Sequence, residues 1–454
     1  MLETQRNKNI ELFTLSEVID VKGYVGNFEV EILQHARYTN DDCNGCGSCF
    51  EVCPAKAPSG FDVGMGPSQA IYVSFAQAVP MRAQIDMNYC IKCGNCQNVC
   101  ELHAVNFDQQ DTKFKVKVGG IIMATGWDEY EPEYGYLGYG KFENVLTQLS
   151  LERMLAPNGP VVGHLHRPSD GKPPESVLFV QCVGSRDINR NVYCSSGVCC
   201  MVSIKNAKLV KSHDPSIEVV MAYIDIRAAG KGYEEYYTAS RREGVKYIRS
   251  KVGRIREDPR TKNLKVVLED TLSPEKTIRE YEFDMVVLSA AMMPSKTFDK
   301  LNEVMNLSKH PSGFLKEFHQ RLNTVDTDVP GIVLAGACHG PKAISESIMQ
   351  AKGAASSIGK LLSNGEYRIN LIRAIPDEKK CARCNMCAEV CPYSAITVTQ
   401  EKGAVVDTIL CRGCGLCASV CPSEAITVRY YRGGQYESQI DAILEDALKE
   451  GGQI

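Results

Sequence analysis

The residues with which this sequence could do chemistry are its cysteines. Of the 21 present, sixteen stand in four runs: Cys43-Cys46-Cys49-Cys53, Cys90-Cys93-Cys96-Cys100, Cys381-Cys384-Cys387-Cys391 and Cys411-Cys414-Cys417-Cys421. Each reads C-x-x-C-x-x-C-x-x-x-C. Pro follows the last cysteine in three runs (Pro54, Pro392, Pro422), and Glu101 takes that place in the second. In this ferredoxin pattern three closely spaced thiolates wrap one [4Fe-4S] cubane, and the fourth, beyond a turn, reaches the cluster of the sister run. Crossed ligation follows. Cys43, Cys46, Cys49 and Cys100 are assigned to one cluster, and Cys90, Cys93, Cys96 and Cys53 to its neighbour. Cys381, Cys384, Cys387 and Cys421 are assigned to a third, and Cys411, Cys414, Cys417 and Cys391 to a fourth. Structural zinc also favours C-x-x-C pairs, but four ligands in two pairs leave the third cysteine and the proline of the runs unexplained.

Four further cysteines, Cys182, Cys194, Cys199 and Cys200, fit no ferredoxin or zinc spacing. Their density points to a fifth [4Fe-4S] site of unusual geometry, against the alternatives of a redox disulfide or inert thiols. Cys338 stands alone in Gly336-Ala-Cys-His-Gly340, where a small apolar filler is the plainer reading. The two ferredoxin units differ in their spacers. Between Cys391 and Cys411 lies a compact hairpin, Ala395 to Val406, whereas the stretch from Cys53 to Cys90 is longer and contains Ser59-Gly-Phe-Asp-Val-Gly-Met-Gly66. That insertion is expected to contact another part of the molecule.

The elements between the modules read as α/β. Lys113 to Ala124 predicts a strand pair ending in Ala124-Thr125-Gly126. Ser176 to Gln181, Ile217 to Ile224, Val245 to Ile248 and Met285 to Ser289 are β-branched runs, with helical patterns after Cys200 and over Tyr233 to Arg242. Alternating strands and helices imply parallel sheets, and two in series suit the paired nucleotide-binding domains of a flavin disulfide-reductase-like enzyme. Gly331 to Gly336 reads as a buried strand and Pro341 to Leu362 as a long helix. The turn residues Gly336, Ala337 and Cys338 and the helix start Lys342, Ala343 and Ile344, with Ala124, Thr125 and Gly126, are the FAD-binding candidates. No G-x-G-x-x-G occurs in the chain. The turn after Val180 reads Cys182-Val-Gly-Ser-Arg-Asp187 and leads into the cysteine quartet, so a cluster is expected where a nicotinamide would otherwise bind.

The whole sequence has 454 residues, 44% of them hydrophobic, and a net charge of −4. That gives no electrostatic reason for nucleic acid or an anionic membrane as partner. No apolar run is long enough for a membrane helix and the start lacks a signal-peptide core, so a cytoplasmic protein with reduced thiols is expected. The fold class expected is α/β and α+β multidomain, with a 1–40 N-terminal segment ending a split flavin domain, a 41–112 inserted ferredoxin-like domain, and a 113–150 flavin-domain segment. A 151–290 nicotinamide-domain-like α/β domain carrying the quartet, a 291–368 closing flavin segment and a 369–454 C-terminal ferredoxin domain and tail complete it.

The sequence resembles the A subunits of heterodisulfide reductases, an iron–sulfur flavoprotein family. The resemblance rests on Ser16-Glu-Val, Gly23-Tyr-Val-Gly-Asn-Phe28, Ala70-Ile-Tyr, Gln77-Ala-Val-Pro80, Arg167-Pro-Ser-Asp-Gly171, Gln181-Cys-Val-Gly-Ser-Arg-Asp187, Tyr193-Cys, Cys199-Cys-Met, and Asp225-Ile-Arg through Gly230-Lys-Gly-Tyr-Glu-Glu235. It runs from residue 8 to residue 425. It implies a thioredoxin-reductase-like flavin core with an inserted and a C-terminal 2[4Fe-4S] ferredoxin module, cluster ligation by the quartet, and a lysine near the flavin ring at Lys205. The bland reading of Lys205 is a solvated helix charge. The departure is the missing G-x-G-x-x-G half, so the chain resembles the carboxyl-terminal part of a split protein whose FAD is shared with a partner chain.

The resemblance implies electron transfer, by flavin-based bifurcation or its reverse, in a CoB–CoM heterodisulfide reductase complex. The implied partners are the B and C subunits of heterodisulfide reductase, a chain supplying the G-x-G-x-x-G half, ferredoxin, and a hydrogenase- or formate-dehydrogenase-type donor, in a dimeric assembly. Disulfide cleavage is expected on another polypeptide of the complex. Two other readings stay open: a flavin-free iron–sulfur wiring protein, and an NAD(P)H-dependent flavin oxidoreductase of the type found as the small component of glutamate synthase.

Overall fold

The computed structural model describes residues 2–274, 278–366 and 371–450. The domain boundary expected at 368/369 lies outside the described residues. The elements that position the chemistry are strands β1 (Ile121–Met123), β2 (Val145–Thr147), β3 (Ser176–Val183), β4 (Glu218–Tyr223), β5 (Lys246–Arg249), β6 (Met285–Ala290) and β7 (Ile332–Leu334). With them go helices α1 (Gln148–Leu155), α2 (Val198–His213), α3 (Tyr233–Arg242) and α4 (Ile344–Ser363).

Strands β2 to β6 form a five-stranded sheet of order β2-β6-β3-β4-β5, parallel throughout. Its central strands β3, β4 and β6 are apolar on both faces, as a covered parallel sheet requires. Along β3, Val177 and Phe179 point to one side, where they pack with Leu151 of α1 and Ile204, Ala207 and Val210 of α2. Leu178 and Val180 point to the other, against Leu264, Val266, Leu268 and Phe283. Those last residues belong to a three-stranded antiparallel sheet, Val252–Glu257, Leu264–Glu269 and Ile278–Phe283, which caps the second face. The period-two alternation of strand side chains thus serves two cores at once.

The expected strand pair over Lys113 to Ala124 is corrected. Two strands are present, Thr112–Val118 and β1, but they do not pair with each other. The first joins Asn27–Gln34 in an antiparallel sheet, and β1 pairs in parallel with β7, Ile121 opposite Ile332. Gly119 and Gly120 make the step between them. A Cβ at Gly119 would come within 2.5 Å of the Leu362 side-chain tip, and one at Gly120 within 2.9 Å of that of Ile358, so α4 packs close against this step and a side chain at either position would make those tips shift.

The two cysteine-rich modules are small. Buried in the C-terminal one are Ala374, Cys387, Ile396, Ala404, Cys417 and Ile426, a core in which thiols stand beside small aliphatics. Strands Ile396–Thr399 and Gly403–Val406 form the expected hairpin, and Ala374–Pro376 pairs with Ile426–Val428. In the amino-terminal module Ile71–Tyr72 pairs with Gln84–Ile85, and an additional hairpin, Lys56–Pro58 with Pro67–Gln69, comes from the longer spacer. A core of this size needs a staple, and bound metal is the usual one for thiol-rich modules.

Candidate functional site

Four cavities lie inside the cysteine-rich modules, and each is lined by four cysteines. Cys43, Cys46, Cys49 and Cys100 line one, and Cys53, Cys90, Cys93 and Cys96 line its neighbour. Cys381, Cys384, Cys387 and Cys421 line a third, and Cys391, Cys411, Cys414 and Cys417 a fourth. These are the four crossed sets: in every run the fourth cysteine crosses to its sister's cavity.

The backbone repeats as faithfully as the cysteines. In all four runs the residue before the second cysteine and the residue after it have left-handed backbone. The first position is Gly45, Lys92, Arg383 and Gly413, at φ 70, 54, 58 and 65°. The second is Gly47, Gly94, Asn385 and Gly415, at φ 96, 79, 66 and 85°. A lysine and an arginine tolerate this conformation at a cost, which points to a loop shape imposed by function. Backbone N–H groups point at the sulfurs: Ala104, Ala395 and Ala425 donate to Cys100, Cys391 and Cys421 at 3.3, 3.4 and 3.2 Å. Such N–H···S bonds are one means of setting a cluster's potential. Burial pushes the Cys49 thiol up to about 12 and Cys417 to about 11. A coordinated metal reverses that tendency, because a ligating thiol is deprotonated outright. The residues present therefore fit cubane clusters in donor type, number and surroundings.

The central quartet comes together at the carboxyl end of β3. Cys182 is the last residue but one of that strand and has left-handed backbone, φ 61°, and Cys199 and Cys200 are buried in the first turn of α2, the crossover that leads to β4. In doubly wound sheets this βα turn receives a nucleotide's phosphates. The four thiols are near enough to shift one another: the hydrogen bond with Cys200 and burial hold the Cys199 thiol well up, with Cys182 and Cys194 adding to the effect. The same hydrogen bond pulls Cys200 down, helped by Arg227 and Arg186. Arg186 is anchored in turn by Asp225, Nη2 to Oδ2 at 2.8 Å. Left-handed residues at Cys182, Arg186 and Ser196 ring the quartet, at φ 61, 53 and 51°.

The flavin candidates divide between two neighbouring places. Ala124-Thr125-Gly126 and Gly336-Ala337-Cys338 lie side by side at the ends of the paired strands β1 and β7, joined by the Ala335 N–H to Met123 carbonyl bond of 2.8 Å. The Cys338 thiol is buried and turned to the carbonyls of Met123 and Ala335, at 3.1 and 3.2 Å. Lys342 folds inward onto the Gly336 carbonyl at 2.9 Å. Lys205, Ala343 and Ile344 instead line a cavity of about 480 Å³ with Arg227, Lys231 and Tyr233. The caps of three helices open onto it: Gly197 of α2, Gly232 of α3 and Ala343 of α4. Three positive dipole ends and three cations, against the one carboxylate of Glu346, suit an electron-rich or anionic group. At the strand ends the Thr125 hydroxyl is buried with no hydrogen-bond partner among the described residues, and a Cβ at Gly126 or Gly340 would meet none of them within 4 Å. An orphan hydroxyl beside open space fits a polar ligand such as the ribityl and ring portions of a flavin. Lys205 reaches Glu152 of α1, Nζ to Oε2 at 2.8 Å.

Residues 35–101 and 374–428 each match a 4Fe-4S dicluster domain family. Over 98% of its length the chain is 49% identical to the iron–sulfur A subunit of CoB–CoM heterodisulfide reductase from Methanocaldococcus jannaschii, covering 68% of that protein. The chain belongs to the family of heterodisulfide reductase A subunits. Another relative, the A subunit of the H(2)/formate:CoB-CoM heterodisulfide,ferredoxin reductase of Methanococcus maripaludis, is 47% identical over 98% of this chain and 68% of its own. A third, an iron–sulfur A subunit of CoB–CoM heterodisulfide reductase from Methanopyrus kandleri, is 47% identical over 99% of this chain and 69% of its own. Among solved structures, thioredoxin reductase from T. acidophilum aligns with 56% of this chain and 70% of its own at 13% identity and a TM-score of 0.35, too faint a likeness to bear on function. No helix among the described residues of this heterodisulfide reductase family member is long and apolar enough to cross a membrane.

Sequence reasoning missed the cations Arg227 and Lys231 and the helix caps that share the large cavity. Arg227 and Lys231 stand within the phrase from Asp225 to Glu235, but only the fold shows three helix starts converging there. Glu129 was also missed. Its carboxylate accepts from the Thr147 hydroxyl at 2.8 Å and the Leu149 N–H at 3.3 Å, at the start of α1, and burial pushes it up to about 7.

Proposed function

We propose that this chain is the electron-transferring component of a CoB–CoM heterodisulfide reductase complex, carrying five [4Fe-4S] clusters and a share of an FAD. The observation that carries the reading is the crossed lining of the four cavities together with the position of the quartet's Cys199 and Cys200 on α2. Cys199 and Cys200 lie on the buried side of that helix's first turn, and Val198, Met201 and Lys205 line the large cavity on the other. A cluster site and a flavin-sized cavity thus share one helix start.

When bound, a flavin exchanges electrons in pairs or singly, and each cubane carries one. The chain's own residues orient and insulate these groups. The crossed cysteines hold two sites within each small module, and the N–H groups of Ala104, Ala395 and Ala425 stabilise the sulfur charge. Arg186 and Arg227 offset the charge of the quartet, and the helix caps with Lys205, Arg227 and Lys231 supply positive potential to the cavity. In this reading electrons pass between FAD, the clusters, ferredoxin and partner proteins by bifurcation or its reverse. The adenosine half of the FAD is held by a G-x-G-x-x-G stretch of polypeptide outside this sequence. The partners are the B and C subunits and a hydrogenase- or formate-dehydrogenase-type donor, and the heterodisulfide is cleaved on a separate polypeptide.

Purification of the chain with its partners, followed by flavin and iron analysis, tests the proposal. Flavin and iron together are expected, with a G-x-G-x-x-G sequence in the assembly. Iron without flavin would leave a wiring protein. Dye reduction by the isolated chain driven by NADH or NADPH would overturn the reading in favour of a nicotinamide-dependent flavin oxidoreductase.

A further inference from the structure

The hairpin that the longer spacer adds to the amino-terminal module does not face solvent alone. Its loop is closed on itself by the Ser59 N–H to Gly66 carbonyl bond at 2.7 Å and the Gly64 N–H to Ser59 carbonyl bond at 2.8 Å. The Ser59 hydroxyl donates to Asp62 Oδ2 at 2.8 Å, which fixes the carboxylate. The other oxygen of Asp62 accepts from Arg153 of α1 twice, from Nε at 3.0 Å and Nη2 at 2.9 Å. Both side chains are largely withdrawn from water, 14% exposed for Arg153 and 17% for Asp62. The Arg153 guanidinium also lies over the Phe61 ring, 4.4 Å from its centroid. Phe61 stacks in turn on Phe75, with centroids 4.8 Å apart and planes at 13°. A Cβ at Gly66 would come within 3.1 Å of Pro160, so the loop is pressed against the segment after α1 as well.

Arginine is suited to this double task, since one planar guanidinium can donate a fork of N–H bonds at its edge and stack through its face. The partner helix is rigidly placed. Leu151 and Leu155 of α1 are buried in the same core as Ile204 and Ala207 of α2, and α2 begins with the quartet's Cys199 and Cys200. A continuous line of packed groups therefore runs from the hairpin tip to the quartet. The C-terminal module's shorter spacer forms the hairpin Ile396–Thr399 with Gly403–Val406 and, among the described residues, meets the core by a single neutral bond, from the Asn306 side-chain amide to the Pro392 carbonyl at 2.7 Å.

We propose that the hairpin 59–66 is a latch, with Asp62 and Arg153 as positioning residues that fix the distance between the amino-terminal cluster sites and the quartet site. The latch rests on the cluster reading for its purpose but not for its existence. Transfer between redox centres falls steeply with distance, so a module swinging on its connections would be a poor conductor. The stack of Phe75, Phe61 and Arg153, sealed by the ion pair, removes that freedom.

The test uses the full chain prepared anaerobically with its clusters, as the parent and as Asp62→Ala, Arg153→Ala, Arg153→Lys and the charge exchange Asp62→Arg with Arg153→Asp. Hydrogen exchange at the Ser59 and Gly64 amides reports the latch without reference to any cluster. Pulsed dipolar EPR between reduced amino-terminal clusters and the quartet cluster reports its purpose. Both alanine variants are expected to exchange those amides at least tenfold faster and to at least double the width of the distance distribution, with iron content unchanged. Arg153→Lys, which keeps the charge but loses the fork and the stack, is expected to fall between, and the charge exchange to recover part of both. Parent-like exchange in both alanine variants would overturn the latch. Faster exchange with an unaltered distance would overturn the positioning role. A parent without cluster signals would sink the cluster reading alone, and the exchange data would still decide the latch.

Discussion

Cys421 shares a cavity with Cys381 and not with Cys411, the cysteine that opens its own run. On the proposed cluster reading the two halves of the module would exchange ligands, and loss of one cysteine should be felt in the cluster of the sister run. Cys421→Ser is expected to give the same iron loss and the same missing EPR signal as Cys384→Ser, and a different one from Cys414→Ser. A phenotype shared with Cys414→Ser would refute crossed ligation.

The central quartet makes a separate claim. Replacing Cys199 and Cys200 together by Ser is expected to remove about four irons per chain and leave the four ferredoxin-type clusters. Iron analysis and Mössbauer spectra of parent and variant decide it, and an unchanged iron content would leave the quartet as buried thiols.

Gly403 has left-handed backbone, φ 66°, and a Cβ there would lie 2.9 Å from the Cys381 sulfur. Gly403→Ala is therefore expected to displace a ligand as well as strain the turn, at a cost of about 1 to 2 kcal/mol. The cluster of Cys381, Cys384, Cys387 and Cys421 should become labile first, seen as selective loss of its signal on mild oxidation. An alanine variant with all signals intact would count against the site geometry.

The Glu129 carboxyl is raised by burial from 4.5 to about 7. A group whose folded value lies above its unfolded one stabilises fully below the unfolded value, near pH 4.5, and that stabilisation is lost as pH rises through about 7. The shift corresponds to up to about 3 kcal/mol. Glu129→Gln preserves an acceptor for Thr147 and Leu149 while removing the charge. It is expected to unfold at higher denaturant than the parent at pH 8 and at similar denaturant at pH 5. Parallel pH profiles for the two proteins would show that Glu129 is ionised without cost.

The grouping of the sixteen cysteines around four cavities was legible in the sequence because the pattern is local: three of each set lie within seven residues and the fourth lies beyond a turn. The parallel sheet was legible through its β-branched runs, down to the limits of α3 at Tyr233 and Arg242. What escaped depends on distant chain segments. The step at Gly119-Gly120 packs against Leu362 and Ile358 of α4, and the run from Lys113, read as one strand pair, serves two sheets. Asp62 and Arg153 are 91 residues apart, and nothing local marks either as the other's partner. The longer spacer announced that the amino-terminal module had something extra, but only tertiary packing says what it grips. The polar residues of Ile278–Phe283 hid a strand whose neighbour, Leu264–Glu269, alternates buried and half-buried side chains under the main sheet.

Iron and acid-labile sulfide counted in the anaerobically purified full chain test the central claim most directly. About twenty irons and as many sulfides per chain are expected from five [4Fe-4S] sites. Zinc in place of iron, with no labile sulfide, would contradict the account.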